Sequence, residues 1–168
     1  DAIYRCSGAF ECGVVDANAD QPETSQIIME GGDILIARED ILIVGNGVRT
    51  TPQGIDFIVD RFCKAHPSGR LHVLVQQLPS EPESFIHLDM VFTLLDKDKC
   101  MIFKPLIMQA NQYQTVHITI EQGRVESIRP VAGLLPALKE LGMDLKPLVC
   151  GGEDGILRIL YHKYLGIL

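Results

Sequence analysis

The sequence predicts an α/β domain built on a repeated β-β-α-β unit, and three observations carry that expectation. Met29-Glu30-Gly31-Gly32-Asp33 and Phe85-Ile86-His87-Leu88-Asp89-Met90-Val91-Phe92-Thr93 each set acidic residues at the start of an apolar, β-rich run. Each run is followed by a second across a polar turn, Arg38-Glu39-Asp40 in the first copy and Asp96-Lys97-Asp98-Lys99 in the second. Helical periodicity and a further strand then follow in both. Registered through Asp33 and Asp89, the copies lie 56 residues apart (89 − 33), the size of a supersecondary unit that is seldom stable alone.

In chain order, Cys6 to Val15 is small and apolar, and Asp16 to Ser25 reads as an exposed loop. Gln26 to Glu30 is expected to be a short strand, and Asp33 to Gly45 a hairpin. Ile55, Ile58, Val59 and Phe62 share one helical face, with Thr51 as N-cap and Pro52 at the first position. Pro67-Ser68-Gly69 ends that helix before a strand over 71–75. In the second copy, 87–95 is expected to be a strand, with 100–103 its partner. Residues 105–128 form an insertion with a strand over 116–120 and a Gln122-Gly123 turn. A short helix over 134–141, closed by Gly142, leads to a strand over 145–150. One domain over 1–168 results, with units at about 27–80 and 85–152 and an apolar tail at 155–168.

A chain of 168 residues that is 46% apolar buries a core of ordinary size. Its formal net charge of −7 argues against a nucleic-acid surface, which needs clustered Lys and Arg. Five scattered cysteines without a CxxC pair suit a reduced, cytoplasmic setting rather than a disulfide framework or zinc site. No apolar run reaches the roughly 18 residues of a membrane span. No signal segment is apparent, and a chain opening Asp1-Ala2-Ile3 without Met reads as an excised piece. Nothing in the pattern calls for a metal or cofactor.

The two motifs also suggest chemistry. On a strand, His87 and Asp89 project to one face and Leu88 to the other. Gly31 and Gly32 remove two side chains, letting a ligand or another backbone approach. Three acids and an imidazole at strand starts suit a site that grips a cation and moves protons. Taken singly, Gly-Gly-Asp is an ordinary turn, His-Leu-Asp a strand edge and Arg49 a solvated turn residue.

Glu30-Gly31-Gly32-Asp33, Gly47-Val48-Arg49-Thr50 and His87-Leu88-Asp89-Met90-Val91-Phe92-Thr93, in that order and spacing, resemble the arginine deiminases of the guanidine-modifying, or pentein, superfamily. The likeness is good over about 27–103 and looser to Cys150-Gly151-Gly152. It implies a partial α/β propeller (pentein) made of ββαβ repeats, about two full units and parts of others from a five-unit ring. It further implies that His87 is the general acid/base, Glu30 its carboxylate partner, and Asp89 a two-pronged guanidinium ligand. Arg49 resembles a clamp for the substrate carboxylate, and Asp33 a supporting, substrate-binding carboxylate near the guanidinium. The implied reaction is L-arginine plus water to citrulline and ammonia through a Cys-thiouronium intermediate, with arginine as the small cationic partner.

Two departures stand out. The family nucleophile is a Cys in a Gly-rich, Arg-containing turn that this chain does not show, and Cys150-Gly151-Gly152 resembles a different, upstream feature. The family's first guanidinium-binding Asp has no counterpart before Asp33. The chain therefore reads as an internal piece of a deiminase, or a truncated or degenerate gene product, inactive alone, whose uncovered faces favour a homo-oligomer. The alternatives are an amidinotransferase or methylarginine hydrolase of the same superfamily, and a non-catalytic pentein-type binding module like the ribosome anti-association factors.

Overall fold

The computed structural model describes residues 26–65 and 67–150. The apolar stretch at 6–15, the loop expected over 16–25, the tail at 155–168, and Gly151 and Gly152 lie outside the described residues. Among the described residues two sheets carry the fold, and each starts from a hairpin. Ile34–Arg38 (β1) and Ile41–Asn46 (β2) pair antiparallel, as do Phe92–Asp96 (β4) and Lys99–Ile102 (β5). Both hairpins break register once, at Ile36/Arg38 and at Leu94/Asp96. Each second strand then takes a parallel partner across a helical connection. Arg70–Gln77 (β3) joins β2, with Ile41 opposite His72, and Lys146–Val149 (β8) joins β5, with Lys99 opposite Lys146. The repeat of β-β-α-β units is present.

Its register differs from the expected one. The hairpins superpose at a spacing of 58 (Ile34 with Phe92, Val44 with Ile102), while the turns before them are 57 apart. Glu30 (φ −125°, ψ 146°) matches His87 (φ −125°, ψ 151°), and each opens a 3-10 turn, Gly31–Asp33 or Leu88–Met90. Val91 is the extra residue in the second copy. Asp89 is thus the counterpart of Gly32, and Asp33 of Met90. Alternation of side chains gave no means of seeing that 3-10 turn, so the strand expected from His87 starts only at Phe92.

Pro52–Ala65 (α1) forms as the pattern predicts. The Thr51 hydroxyl caps it by accepting the Gly54 N–H at 3.2 Å. Ile55 and Val59 bury against Leu42, Val44, Val73, Val75, Ile118 and Ile120 on one face of the first sheet, with Ile58 and Phe62 at the margin. Among the described residues, 26–30 pair with no strand, although Glu30 itself is extended. The Ile28 carbonyl accepts the Thr51 N–H at 3.0 Å, and the Gln26 carbonyl accepts the Thr51 hydroxyl at 2.7 Å. A Cβ on Gly54 would lie 2.3 Å from the Ile28 carbonyl oxygen, so this crossing over the helix start needs glycine there.

The insertion is more ordered than its sequence suggests. After a helical turn at Lys104–Ile107 (α2), Thr115–Glu121 (β6) and Arg124–Val131 (β7) form a hairpin. Gln122 (φ 51°) and Gly123 (φ 72°) make its two-residue turn, in the sense that matches strand twist. β6 pairs antiparallel with β3, so this part of the second unit completes the first unit's sheet, in the order β1-β2-β3-β6-β7. β7 was not expected: its Arg, Glu and Ser residues and Pro130 suit an exposed edge strand, where a missing N–H costs little.

Leu134–Glu140 (α3) follows and ends at Gly142 (φ 84°). The Met143 N–H reaches the Leu138 carbonyl at 2.8 Å and the Gly142 N–H that of Lys139 at 3.0 Å, a Schellman closure. Leu134, Ala137 and Leu138 share one buried cluster with Ile41, Ile43 and Leu74 of the first sheet and Phe92, Cys100 and Ile102 of the second. The layers therefore run α1, first sheet, α3, second sheet. Among the described residues no helix is long and apolar enough to cross a membrane.

Candidate active site

The two 3-10 turns meet where the units join, and this contact assembles the polar cluster. Glu30 Oε2 lies 2.6 Å from His87 Nε2. An ionised carboxylate only accepts, so Nε2 donates, and in a neutral imidazole this leaves Nδ1 with its lone pair. The His87 hydrogen bond, helped by the charge of Arg49, holds the Glu30 carboxyl below its ordinary pKa. Arg49 donates to Glu30 Oε1 at 3.3 Å and is about half exposed.

Gly32 makes the close approach possible. A Cβ there would stand 2.9 Å from His87 Cγ and 3.2 Å from Asp89 Oδ2, so imidazole and carboxylate flank the same bare Cα. Asp89 is exposed, and its carbonyl accepts the Thr93 hydroxyl at 2.6 Å, which pins the end of the turn. Leu88, between the two polar residues, is fully buried in the apolar cluster. His87 and Asp89 thus face away from Leu88 through a 3-10 turn rather than through strand alternation.

Asp33 behaves differently from the other acids. It is 0% exposed, Oδ1 accepts the Leu88 N–H at 2.9 Å, and Oδ2 accepts the Thr50 hydroxyl at 2.7 Å. Burial raises its pKa against those two donors. It presents no surface to a ligand and instead ties the first unit to the backbone beside His87. Gly45 leaves room for it: a Cβ there would fall 2.5 Å from Asp33 Oδ1 and 3.0 Å from Leu88 Cβ. Thr50 and Gly45 were assigned no part from sequence. The available signal was only a small residue in a strand and a hydroxyl beside Arg49.

Two of the described cysteines do not resemble an activated thiol. Cys100 is buried in β5 and Cys63 half-buried in α1, and burial pushes both thiols up, away from the thiolate form. Cys150 is exposed just after β8. Among the described residues no group of three or more His, Cys, Asp or Glu is placed to hold a metal ion.

Repeated ββαβ units whose junction brings the Glu30 carboxylate onto the His87 imidazole define an α/β protein with a polar cluster between its repeats. The arginine deiminase family profile matches residues 2–155. An arginine deiminase of Mycoplasma capricolum subsp. capricolum is 33% identical over 126 residues, covering 75% of this chain and 30% of that protein. One of Streptococcus equi subsp. equi is 33% identical over 153 residues, 90% of this chain and 36% of that protein. One of Bacillus thuringiensis subsp. konkukian is 34% identical over 134 residues, 76% and 32% respectively. This chain belongs to the arginine deiminase family. It spans about a third of the length of the curated relatives it matches.

Proposed function

We propose that this chain carries the proton-transfer and guanidinium-binding part of an arginine deiminase site, which hydrolyses L-arginine to citrulline and ammonia. The 2.6 Å bond between Glu30 and His87, with Asp89 beside it, is the observation that carries this reading. A guanidinium is planar, cationic and a poor electrophile, so it needs a carboxylate to hold it and a proton donor for its leaving nitrogen. Exposed Asp89 suits the first task. In the reaction proposed, a thiolate adds to the guanidinium carbon and His87 protonates the departing ammonia. His87 then takes a proton from water as the water adds to the thiouronium carbon, and the thiolate leaves with its electron pair. Glu30 keeps the imidazole oriented throughout. Arg49, bonded to Glu30, clamps the substrate carboxylate only by turning its guanidinium outward. Asp33 supports His87 from below rather than touching substrate. The thiolate comes from outside the described residues, and the isolated chain does not turn over arginine.

A partial propeller fits the same picture. In the first sheet Leu35, Ile43 and Leu74 lie side by side across the strands, covered by the second unit. Their counterparts, Thr93, Met101 and Leu148, are paired in the same way, yet Met101 is 39% and Leu148 51% exposed. A further unit would cover that face as the second covers the first.

The test is a titration of the ¹⁵N-labelled chain with L-arginine, alongside a citrulline assay of the chain and of His87→Ala. Shifts should concentrate at residues 30–33, 49 and 87–90, with no citrulline formed. Shifts elsewhere, or none, overturn the site. Turnover lost in Cys150→Ser and kept in Cys100→Ser would place the nucleophile inside this chain.

A further inference from the structure

A closed ring of contacts surrounds the Glu30–His87 pair. Thr50, 0% exposed, accepts the Glu30 backbone N–H at 3.2 Å and donates to Asp33 Oδ2 at 2.7 Å. Asp33 accepts the N–H of Leu88, the residue after His87, at 2.9 Å. The 2.6 Å side-chain bond from His87 to Glu30 completes the circuit. We propose that Thr50 is a positioning residue for the acid–base pair, its hydroxyl fixing the Glu30 main chain relative to that of His87 through the Asp33 carboxylate. This rests on reading Glu30 and His87 as that pair.

The argument is one of freedom. Glu30 has a long side chain, stands in a segment without strand pairing, and is followed by two glycines. Nothing in its local sequence would hold its carboxylate at one point. Strand β2 is paired on both sides and the start of α1 is capped by Thr51, and Thr50 lies in the short segment between them. Only a hydroxyl serves here, because the position must accept from an N–H and donate to a carboxylate at once. Valine matches threonine in shape and does neither. Serine does both.

Thr50→Val and Thr50→Ser are to be compared with the unaltered chain by NMR titration of the Glu30 side-chain carboxyl. The carboxyl should titrate below the ordinary range in the unaltered chain and in Thr50→Ser, and return toward that range in Thr50→Val. Amide signals of both hairpins report whether the variant is folded. A folded Thr50→Val that titrates like the unaltered chain overturns the proposal. Should Thr50→Val not fold, Asp33→Asn replaces it: the amide still accepts from Leu88 but no longer accepts from the hydroxyl. Glu30 should again move upward, and an unmoved Glu30 overturns the proposal. His87→Ala separates the two ideas. If Glu30 does not respond to loss of His87, the acid–base pair itself is misread, whatever Thr50 does.

Discussion

Glu30 and His87 occupy the same position in the two repeats, 57 residues apart, and are bonded to each other at 2.6 Å. Each has an extended backbone and opens a 3-10 turn, so packing the turns together brings the two equivalent side chains face to face. One repeat places a carboxylate there and the other an imidazole. A single repeat would hold half of this pair.

Gly32→Ala should break the pair with little loss of stability. The new Cβ would fall 2.9 Å from His87 Cγ, a ring carbon close to its own backbone and hence slow to yield. Strain from that contact is opposed by about 0.4–1 kcal/mol from a stiffer unfolded chain, provided the backbone conformation suits alanine. NMR titration should show the Glu30 carboxyl rising toward its ordinary range. A Glu30 that titrates as in the unaltered chain would contradict the described approach.

Gly45→Ala and Gly31→Ala should differ sharply. The first puts a methyl 2.5 Å from Asp33 Oδ1 and 2.9 Å from Leu78 Cδ1 inside β2, an overpacking that typically costs about 1–3 kcal/mol. The second meets nothing within 4 Å and should stay within about 0.5 kcal/mol of the unaltered chain. Urea midpoints at unchanged m decide, and equal midpoints would mean that Gly45 is not needed for the Asp33 site.

Stability should fall on mild acidification. His72 Nδ1 and His117 Nε2 lie 3.0 Å apart between β3 and β6. Burial lowers both pKa values. Nearby Arg70 and Arg38 add to the lowering at His72, and His72 itself and Arg129 at His117, against the opposing charges of Asp40 and Glu140. The unfolded chain then binds protons first, so stability present above pH 6.5 is lost as pH falls below it toward the lowered values. Glu30 acts with the same sign below its unfolded value of 4.5, whereas Asp33, with its raised pKa, opposes it. His117→Gln should flatten the slope just below pH 6.5 in denaturant melts. An unchanged slope would show that the pair does not carry it.

Self-association should follow from the uncovered face of the second sheet, where Leu95, Met101 and Leu148 are exposed. Light scattering at tens of micromolar should find a dimer or larger assembly, and Met101→Lys with Leu148→Lys should reduce it. A monomer before substitution would set the expectation aside.

Much of this molecule was legible because its signals are local. Apolar runs around polar turns specified both hairpins, and Thr51-Pro52 with the Ile55, Ile58, Val59, Phe62 spacing specified α1. Gly142 specified the end of α3. The strand expected over 26–30 failed because those residues bond to Thr50 and Thr51, which no periodicity reveals. β7 was hidden because an edge strand carries little apolar alternation.

The sequence by itself determined both hairpins, α1 and α3 and their order, since these rest on residue type and short-range spacing, and its three motifs carried the resemblance to the family. Only the tertiary structure decided the register, pairing Glu30 with His87 rather than Asp33 with Asp89. It also decided that Asp33 is buried, with both oxygens bonded, while Asp89 is exposed. The reason is physical: two acids of the same kind at strand starts look alike along the chain. Their roles separate only when the second unit packs on the first, covering one carboxylate and leaving the other in water.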